Sequence, residues 1–171
     1  TASKAAIRLG VTKMSANRCF DEIEYLNVDI LGMKGKSRVI TVPADIQKLW
    51  NDVRVILRNP VIARYELKED IQLGKKAGIT ALCEYSLLSD NEYPTYAITK
   101  KEITESGIRK MKQVHSGEEI GCVVLELGYF IDFKNKKLED PLSVTLSLTE
   151  SEKQDERIGI SIKRMLEEYV W

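Results

Sequence analysis

The chain has 171 residues, 43% of them apolar, which is enough for one large domain or two small domains, each with its own hydrophobic core. No stretch approaches the roughly 18 consecutive apolar residues of a membrane-spanning helix, and no basic-then-apolar leader begins the chain, so we expect a cytoplasmic protein that does not enter a membrane. The three cysteines are widely separated and there is a single histidine, which argues against a disulfide framework and against a zinc site.

The charges are unevenly distributed, although their formal sum is zero. From Thr1 to Pro60 there are ten Lys and Arg residues against six Asp and Glu residues, a net charge of +4. The remaining 111 residues have 16 basic and 20 acidic side chains, a net charge of −4. A basic amino-terminal part joined to an acidic remainder fits contact with nucleic acid at one end of the chain and a different role at the other.

The first stretch, Thr1 to Leu26, has the pattern of two amphipathic helices joined by a tight turn. Gly10 tolerates the positive φ angle that a helix exit needs, Val11 is a single apolar plug, and Thr12 is a suitable N-cap for the second helix. Small and apolar residues recur at helical spacing on one face of each helix: Ala2, Ala5, Ala6 and Leu9 in the first, and Ala16, Cys19, Phe20, Ile23 and Leu26 in the second. This arrangement is typical of a DNA-binding helix-turn-helix.

Two short segments rich in β-branched and apolar residues follow the second helix. Val28 to Met33 and Ser37 to Val42 predict a hairpin that turns at Gly35, and its tip has the basic sequence KGKSR. A hairpin in this position is the layout of a winged helix, in which the wing reaches phosphate or the minor groove. We then predict a helix from its cap at Asp45 to Leu57.

The overall prediction is an α+β fold in two domains. We place a winged helix-turn-helix domain at residues 1–58 and an α+β regulatory or partner-binding domain at residues 59–171. A helix-turn-helix normally rests on a preceding helix, and the chain begins at Thr1 rather than at a methionine. We therefore expect that the first helix of the amino-terminal domain is missing.

The predicted DNA-binding residues lie at the start of the first helix, on the early turns of the second helix and at the hairpin tip. They are Ser3, Lys4, Thr12, Lys13, Met14, Asn17, Arg18, Lys34, Lys36, Ser37 and Arg38. Lys13 and Arg18 suit phosphate or guanine contacts, whereas Asn17 can pair with adenine. We expect the hairpin lysines and Arg38 to anchor the wing on phosphate.

One feature limits this surface. The later turns of the second helix have three negative charges, at Asp21, Glu22 and Glu24. Because these charges repel phosphate, we expect only the first two turns of this helix to contact DNA. The alternative interpretation of the whole set is a charged face that contacts solvent alone.

The second half of the sequence predicts alternating strands and helices. The predicted strands are Val61 to Leu67, Thr95 to Thr99 and Glu119 to Phe133, the last either bent or divided at Gly128. The predicted helices are Gly74 to Leu88, a fragment from Ile103 to Met111, and Ser151 to Trp171. Leu142 to Leu148 fits either a strand or the start of a helix.

The remaining reactive residue types have plain structural interpretations. His115 lies in a polar stretch without a nucleophile motif and is interpreted as a surface-loop histidine. Cys83 and Cys122 lie in apolar patterns and are interpreted as small core residues. Four carboxylates of the second half, Glu126, Asp132, Glu139 and Asp140, are interpreted as a solvated strand edge rather than a metal site. We predict no catalytic site, no metal and no cofactor.

Several segments resemble known bacterial regulators. Residues 1–42 resemble the winged helix-turn-helix of bacterial transcriptional regulators. Three segments are similar to the second domain of the abortive-infection antitoxin family (AbiEi-like): Asn59 to Val61, Ala77 to Leu88 (AGITALCEYSLL) and Tyr93 to Thr99 (YPTYAIT). Asp140 to Leu148 with Asp155 to Arg157 is similar to small regulators of Gram-positive bacteria.

The resemblance implies a role. It implies a repressor that binds double-stranded DNA, and an antitoxin that regulates its own operon beside a nucleotidyltransferase-like toxin. Thr80 supplies the Ser or Thr that the family places before Ala-Leu, whereas Tyr85 stands where the family often has a histidine.

Two other hypotheses stay open from the sequence. One is a protein-interaction module that neutralises or scaffolds a partner protein without direct DNA binding. The other is an enzyme with a carboxylate site in the second domain, although we do not predict an enzyme. Homodimerisation stays open as well.

Overall fold

The structure, a computed structural model, describes residues 1–89, 92–129 and 136–171. It has mixed α and β elements and separates into two units, Thr1–Leu57 and Arg58–Trp171. We call them unit 1 and unit 2.

Unit 1 consists of three helices and one hairpin. The helices are α1 (Ala2–Leu9), α2 (Lys13–Tyr25) and α3 (Ile46–Val53), and the antiparallel hairpin is formed by β1 (Leu31–Lys34) and β2 (Ser37–Ile40). The side chain of Thr12 accepts a hydrogen bond from the Ser15 amide and so begins α2. Gly10 ends α1 with a φ angle of 65°, the left-handed conformation that glycine adopts at low cost. The predicted caps at these two positions are therefore confirmed.

A cluster of small side chains around one aromatic ring holds α1 against α2. Ala2 and Ala6 of α1 are buried against Ala16 and Phe20 of α2, and Leu31 of β1 packs partly on the same cluster. Alanines at a helix crossing allow the two backbones to approach closely, so the phenyl ring supplies most of the buried area. The predicted inner face is confirmed for these four residues.

Other predicted inner positions of unit 1 are exposed. Leu9 is 71% exposed and the proposed apolar plug Val11 is 45% exposed, and Cys19 and Leu26 are exposed as well. The helix predicted to reach Leu57 ends at Val53. The burial predictions were wrong because periodicity marks the face that an element can bury, whereas burial also requires a second element to cover that face.

Unit 2 is a four-stranded sheet with helices. Its strands are β3 (Val61–Leu67), β4 (Lys75–Lys76), β5 (Thr95–Thr99) and β6 (Cys122–Leu127), in the spatial order β3-β6-β5-β4. The β5–β6 pair is parallel and the other two pairs are antiparallel. The helices are α4 (Gly78–Tyr85), α5 (Lys100–Ser106), α6 (Pro141–Ser147), α7 (Glu150–Lys153) and α8 (Glu156–Tyr169), with a 3-10 turn at Ile108–Lys110.

Strand β6 is the centre of the unit 2 core, since all six of its residues are buried. Its side chains alternate between two clusters, with Cys122 and Val124 in one and Val123, Leu125 and Leu127 in the other. Because successive residues of a strand point to opposite faces, the sheet is covered on both faces. The helices on one side include α4, whose predicted inner residues are buried as expected: Ala77, Ala81, Leu82 and Tyr85.

The predicted strands Val61–Leu67 and Thr95–Thr99 are confirmed. The helix predicted from Gly74 begins only at Gly78, because Lys75 and Lys76 pair with β5 instead. The ambiguous segment at 142–148 is helix α6, which Asp140 caps by accepting a hydrogen bond from the Ser143 amide at 3.0 Å. Residues 130–133 of the long predicted strand lie outside the described residues.

Candidate nucleic-acid interface

A cleft of about 320 Å³ in unit 1 brings together three separate parts of the chain. The start of α1 forms one part, the first two turns of α2 form another, and the hairpin tip forms the third. The lining residues are Thr1, Ala2, Ser3, Lys13, Asn17, Lys36, Ser37 and Arg38. Six of the eleven predicted DNA-binding residues therefore meet at one place.

Local structure explains how α2 presents its side chains. Lys13 is the first residue of α2, directly after the Thr12 cap, and Asn17 follows one turn later on the same face. Ala16, between them, is buried against α1 and sets the rotation of the helix. The inward alanine thus fixes Lys13 and Asn17 on the side that lines the cleft.

The hairpin tip is set by its turn. Lys34 pairs with Ser37, so Gly35 and Lys36 form a two-residue connection, and Gly35 adopts a φ angle of 62°. This geometry places Lys36 in the turn and Ser37 directly after it, at the start of β2. Lys36 is exposed and lines the cleft, as does the hydroxyl-bearing Ser37.

The two lysines of the cleft have no ion-pair partner among the described residues. Lys13 and Lys36 are both exposed, so their positive charges are available to an anion. Asn17 is half-buried beside them. The cleft therefore combines positive charge with an amide that can both donate and accept hydrogen bonds.

Arg38 also lines the cleft, but its guanidinium is engaged by α2. Its Nη1 atom lies 2.6 Å from Oδ1 of Asp21 and 3.1 Å from Oε2 of Glu24. The guanidinium carbon is 5.8 Å from the centre of the Phe20 ring. The hydrogen bond with Asp21, together with both carboxylate charges, raises the pKa of Arg38 above its ordinary value. The hairpin sequence alone does not predict these contacts. In the sequence, only the three-residue spacing of Asp21 and Glu24 points to them, because it puts both carboxylates on one face of α2.

The other predicted DNA-binding residues do not line the cleft. Lys4, Met14, Arg18 and Lys34 are exposed on unit 1. Thr12 is exposed too, but its hydroxyl already accepts the Ser15 amide and lies 2.9 Å from the Ser15 hydroxyl. Thr12 therefore caps the amino-terminal end of α2.

Glu126, Glu139 and Asp140 are buried, so the prediction of a solvated strand edge was wrong for these three residues. Glu126 accepts hydrogen bonds from the Tyr65 hydroxyl at 2.9 Å and from Nη2 of Arg109 at 3.1 Å. Burial acts to raise the pKa of Glu126, but these two partners outweigh it and hold the pKa below its usual range. Glu126 interrupts an otherwise apolar run in β6, and this pattern cannot distinguish a buried, paired carboxylate from an exposed one.

Glu139 is a buried carboxyl group without a hydrogen-bond partner among the described residues. The residue is only 3% exposed, and neither carboxyl oxygen has a hydrogen-bond partner among the described residues. The Gly78 amide and the Ser147 hydroxyl lie close enough to lower the pKa somewhat, but burial and the charge of Asp140 outweigh them and raise it to about 8. Asp132, the remaining carboxylate of the predicted set, lies outside the described residues.

His115 is exposed in a loop and Cys122 is buried, as predicted. Within residues 1–89, 92–129 and 136–171, no group of three or more His, Cys, Asp or Glu side chains is arranged to hold a metal ion. None of the helices in the described ranges is long and apolar enough to cross a membrane.

The chain matches no protein-family model, no curated protein and no solved structure. The resemblance to the abortive-infection antitoxin family therefore stays a prediction.

Proposed function

We propose that unit 1 is a winged helix-turn-helix that binds double-stranded DNA, and that the protein is a sequence-specific transcriptional repressor. One observation carries the proposal: Lys13, Asn17 and Lys36 converge on a single cleft from two elements that are separate in sequence. In this scheme α2 enters the major groove and the hairpin is the wing. Repression follows from occupancy of the promoter.

The chemistry of the cleft fits a phosphate backbone beside readable base edges. Exposed lysines neutralise phosphates and release their counterions, which supplies affinity without sequence preference. Asn17 supplies the side chain that pairs with adenine, and Arg18 and Met14 are neighbouring exposed positions for guanine and a thymine methyl. Affinity and specificity are thus assigned to different residues of the same helix.

Unit 2 then has the regulatory or partner-binding role. Its polar residues include a well-paired buried glutamate, and the core covers its sheet on both faces, as a stable scaffold requires. We extend the proposal to an antitoxin that controls its own operon, with a nucleotidyltransferase-like toxin as the protein partner. A toxin gene beside the gene for this chain is the observation that would support this extension.

The first experiment identifies a target and then tests the cleft. The full chain is used to select duplexes from a random library, and the affinity of the best duplex is measured by fluorescence anisotropy over a range of salt concentrations. We expect Lys13→Ala and Lys36→Ala each to weaken binding to all duplexes and to reduce the slope of log K against log salt by about 0.9 for each lost phosphate contact. Asn17→Ala should instead lower the preference for the selected sequence over a scrambled duplex.

Lys48→Ala is the matched control, since Lys48 is an exposed lysine of unit 1 that does not line the cleft. It removes the same charge from the same unit and should change binding little. Equal losses for Lys48→Ala and Lys13→Ala would contradict a defined site. Failure of the wild-type chain to retain any duplex at low salt would overturn DNA binding altogether.

A second function is favoured by a separate observation. Several large apolar side chains of unit 1 are exposed, among them Ile7 at 84% and Tyr25 at 89%. Exposed apolar groups of this size are typical of surfaces that contact another protein. The alternative proposal is therefore a protein-interaction module. Two results together would favour this alternative. The wild type would retain no DNA, and the Ile7→Ser and Tyr25→Ser variants would lose binding to a purified partner protein.

A further inference from the structure

Arg38 links the hairpin to the acidic end of α2. It lies in β2, and it contacts Asp21 and Glu24, which are one helical turn apart. Its guanidinium also faces the Phe20 ring, part of the cluster that joins α1 and α2. One side chain of the hairpin thus meets two carboxylates and an aromatic ring on the same helix.

The hairpin has few other means of attachment. Each strand has four residues, and an isolated two-stranded hairpin of this size is marginally stable at best. Leu31, opposite Ile40 at the open end of the hairpin, packs partly on the α1–α2 cluster. Arg38 is opposite Met33, nearer the tip, and only two residues from Lys36. The position of Lys36 relative to α2 therefore depends on the Arg38 contacts.

Asp21 and Glu24 are themselves exposed, with side chains 64% and 68% accessible. Without a nearby cation they would repel the phosphates of a duplex bound at the adjacent turns of α2. The Arg38 side chain is only 30% accessible, and its charge is directed at these two carboxylates. The single positive charge of Arg38 therefore offsets part of the negative charge at the acidic end of α2, at the point where it would oppose DNA.

We propose that Arg38 is a positioning residue, not a DNA contact: it holds the hairpin tip against α2 and masks the charges of Asp21 and Glu24. This inference rests on the proposed function in that the masked charges matter only if α2 binds DNA. The holding role concerns the free protein and is measurable without any duplex.

The first test uses the free, full-length protein. Hydrogen exchange of the backbone amides in 31–34 and 37–40 is compared between wild type, Arg38→Ala and the double variant Asp21→Asn/Glu24→Gln. We expect the hairpin amides to exchange several-fold faster in both variants, while the α1 and α2 amides change little. Unchanged exchange in both variants overturns the holding role, whatever the protein does with DNA.

The second test is a rescue of DNA binding, with the selected duplex as probe. Arg38→Ala should weaken binding about tenfold because it exposes two negative charges, and Arg38→Ala/Asp21→Asn/Glu24→Gln should recover most of the loss. A direct Arg38–phosphate contact predicts no recovery, since the missing cation is not replaced. That outcome overturns the masking role.

A matched triple variant controls for overall charge. Arg38→Ala/Asp29→Asn/Asp52→Asn has the same net charge, but it neutralises two exposed aspartates of unit 1 that do not contact Arg38. We expect it to bind as weakly as Arg38→Ala. Equal recovery in both triple variants overturns the specific masking of Asp21 and Glu24. If the wild type binds no duplex, the proposed function fails, and the exchange experiment still decides the holding role.

Discussion

The two units of this chain treat polar side chains in opposite ways. In the described part of unit 2 the interior contains carboxylates and hydroxyls, among them Glu126, Glu139 and Ser143. In unit 1 the buried side chains are apolar, and its charged groups lie on the surface, where Lys13 and Lys36 are free of ion pairs among the described residues. Unburied charges are available to a partner, whereas buried ones are committed to the fold. This contrast leaves Lys13 and Lys36 of unit 1 available for the DNA contact that we propose, whereas Glu126 and Glu139 belong to the core of unit 2.

The units also differ in the size of their cores. The buried side chains of unit 1 are three alanines, Phe20 and Trp50, while unit 2 has a central strand buried on both faces. A small core has less stability to lose, so the same type of substitution has different consequences in the two units.

Phe20→Ala should have the largest effect. The ring is 2% exposed, and removal of a buried phenyl group costs about 3–5 kcal/mol, which is comparable to the whole stability of a small unit. We expect the amides of α1 and α2 to lose protection in hydrogen exchange, whereas those of β6 keep theirs. Equal loss of protection in both units would show that they do not differ in the way we infer.

Glu139→Gln should produce the next largest effect, and its sign depends on pH. Because the pKa of Glu139 is raised from 4.5 to about 8 in the folded protein, the unfolded chain releases this proton first as pH rises. The contribution of Glu139 is therefore favourable at low pH and is lost between about pH 4.5 and 8. The glutamine variant should be more stable than wild type at pH 8, by an amount on the order of a few kcal/mol.

Urea unfolding of unit 2 at a series of pH values measures this difference. The control is Glu119→Gln, which changes an exposed carboxyl group of the same unit and should leave the pH profile as in wild type. A Glu139→Gln profile parallel to that of wild type would contradict the assignment of a neutral, buried carboxyl group.

Tyr65→Phe should have an intermediate effect on unit 2. It removes the hydroxyl that donates to the buried Glu126 and leaves the Arg109 guanidinium as the hydrogen-bond donor to that carboxylate among the described residues. Loss of one hydrogen bond to a buried charged group costs about 1–3 kcal/mol. Chemical denaturation measures the change, with Tyr25→Phe as the control because Tyr25 is 89% exposed in unit 1. Similar costs at the two positions would remove the contrast between buried and exposed polar groups.

Thr12→Ala should have the smallest effect on stability, about 1 kcal/mol, because it removes the N-cap of α2. Thr12→Ser keeps the capping hydroxyl and should behave as wild type in both unfolding and DNA binding. If Thr12→Ser loses DNA affinity while its stability is unchanged, the threonine methyl group contacts DNA, and the role of Thr12 is not limited to capping.

The sequence-based predictions agree with the structure where a single local signal decides the structure. Thr12 and Gly10 mark helix ends by their own chemistry, and the strands at 61–67 and 95–99 follow from apolar and β-branched runs. The predictions differ from the structure at Leu9, which is exposed, and at the start of α4, which begins at Gly78. There the outcome depended on which other element was present to cover a face or to pair with a strand.

The candidate site shows the same division. The residue types, the helix-turn-hairpin order of unit 1 and the basic tip are predictable without the structure, because spacing along a helix and a turn residue in a hairpin are local properties. The folded chain was needed to show that Lys13, Asn17 and Lys36 share one cleft, that Arg38 faces Asp21 and Glu24, and that Glu126 and Glu139 are buried. Each of these facts depends on the packing of segments that are distant in sequence, and a charged side chain has the same local pattern whether it meets solvent, a partner or an opposite charge.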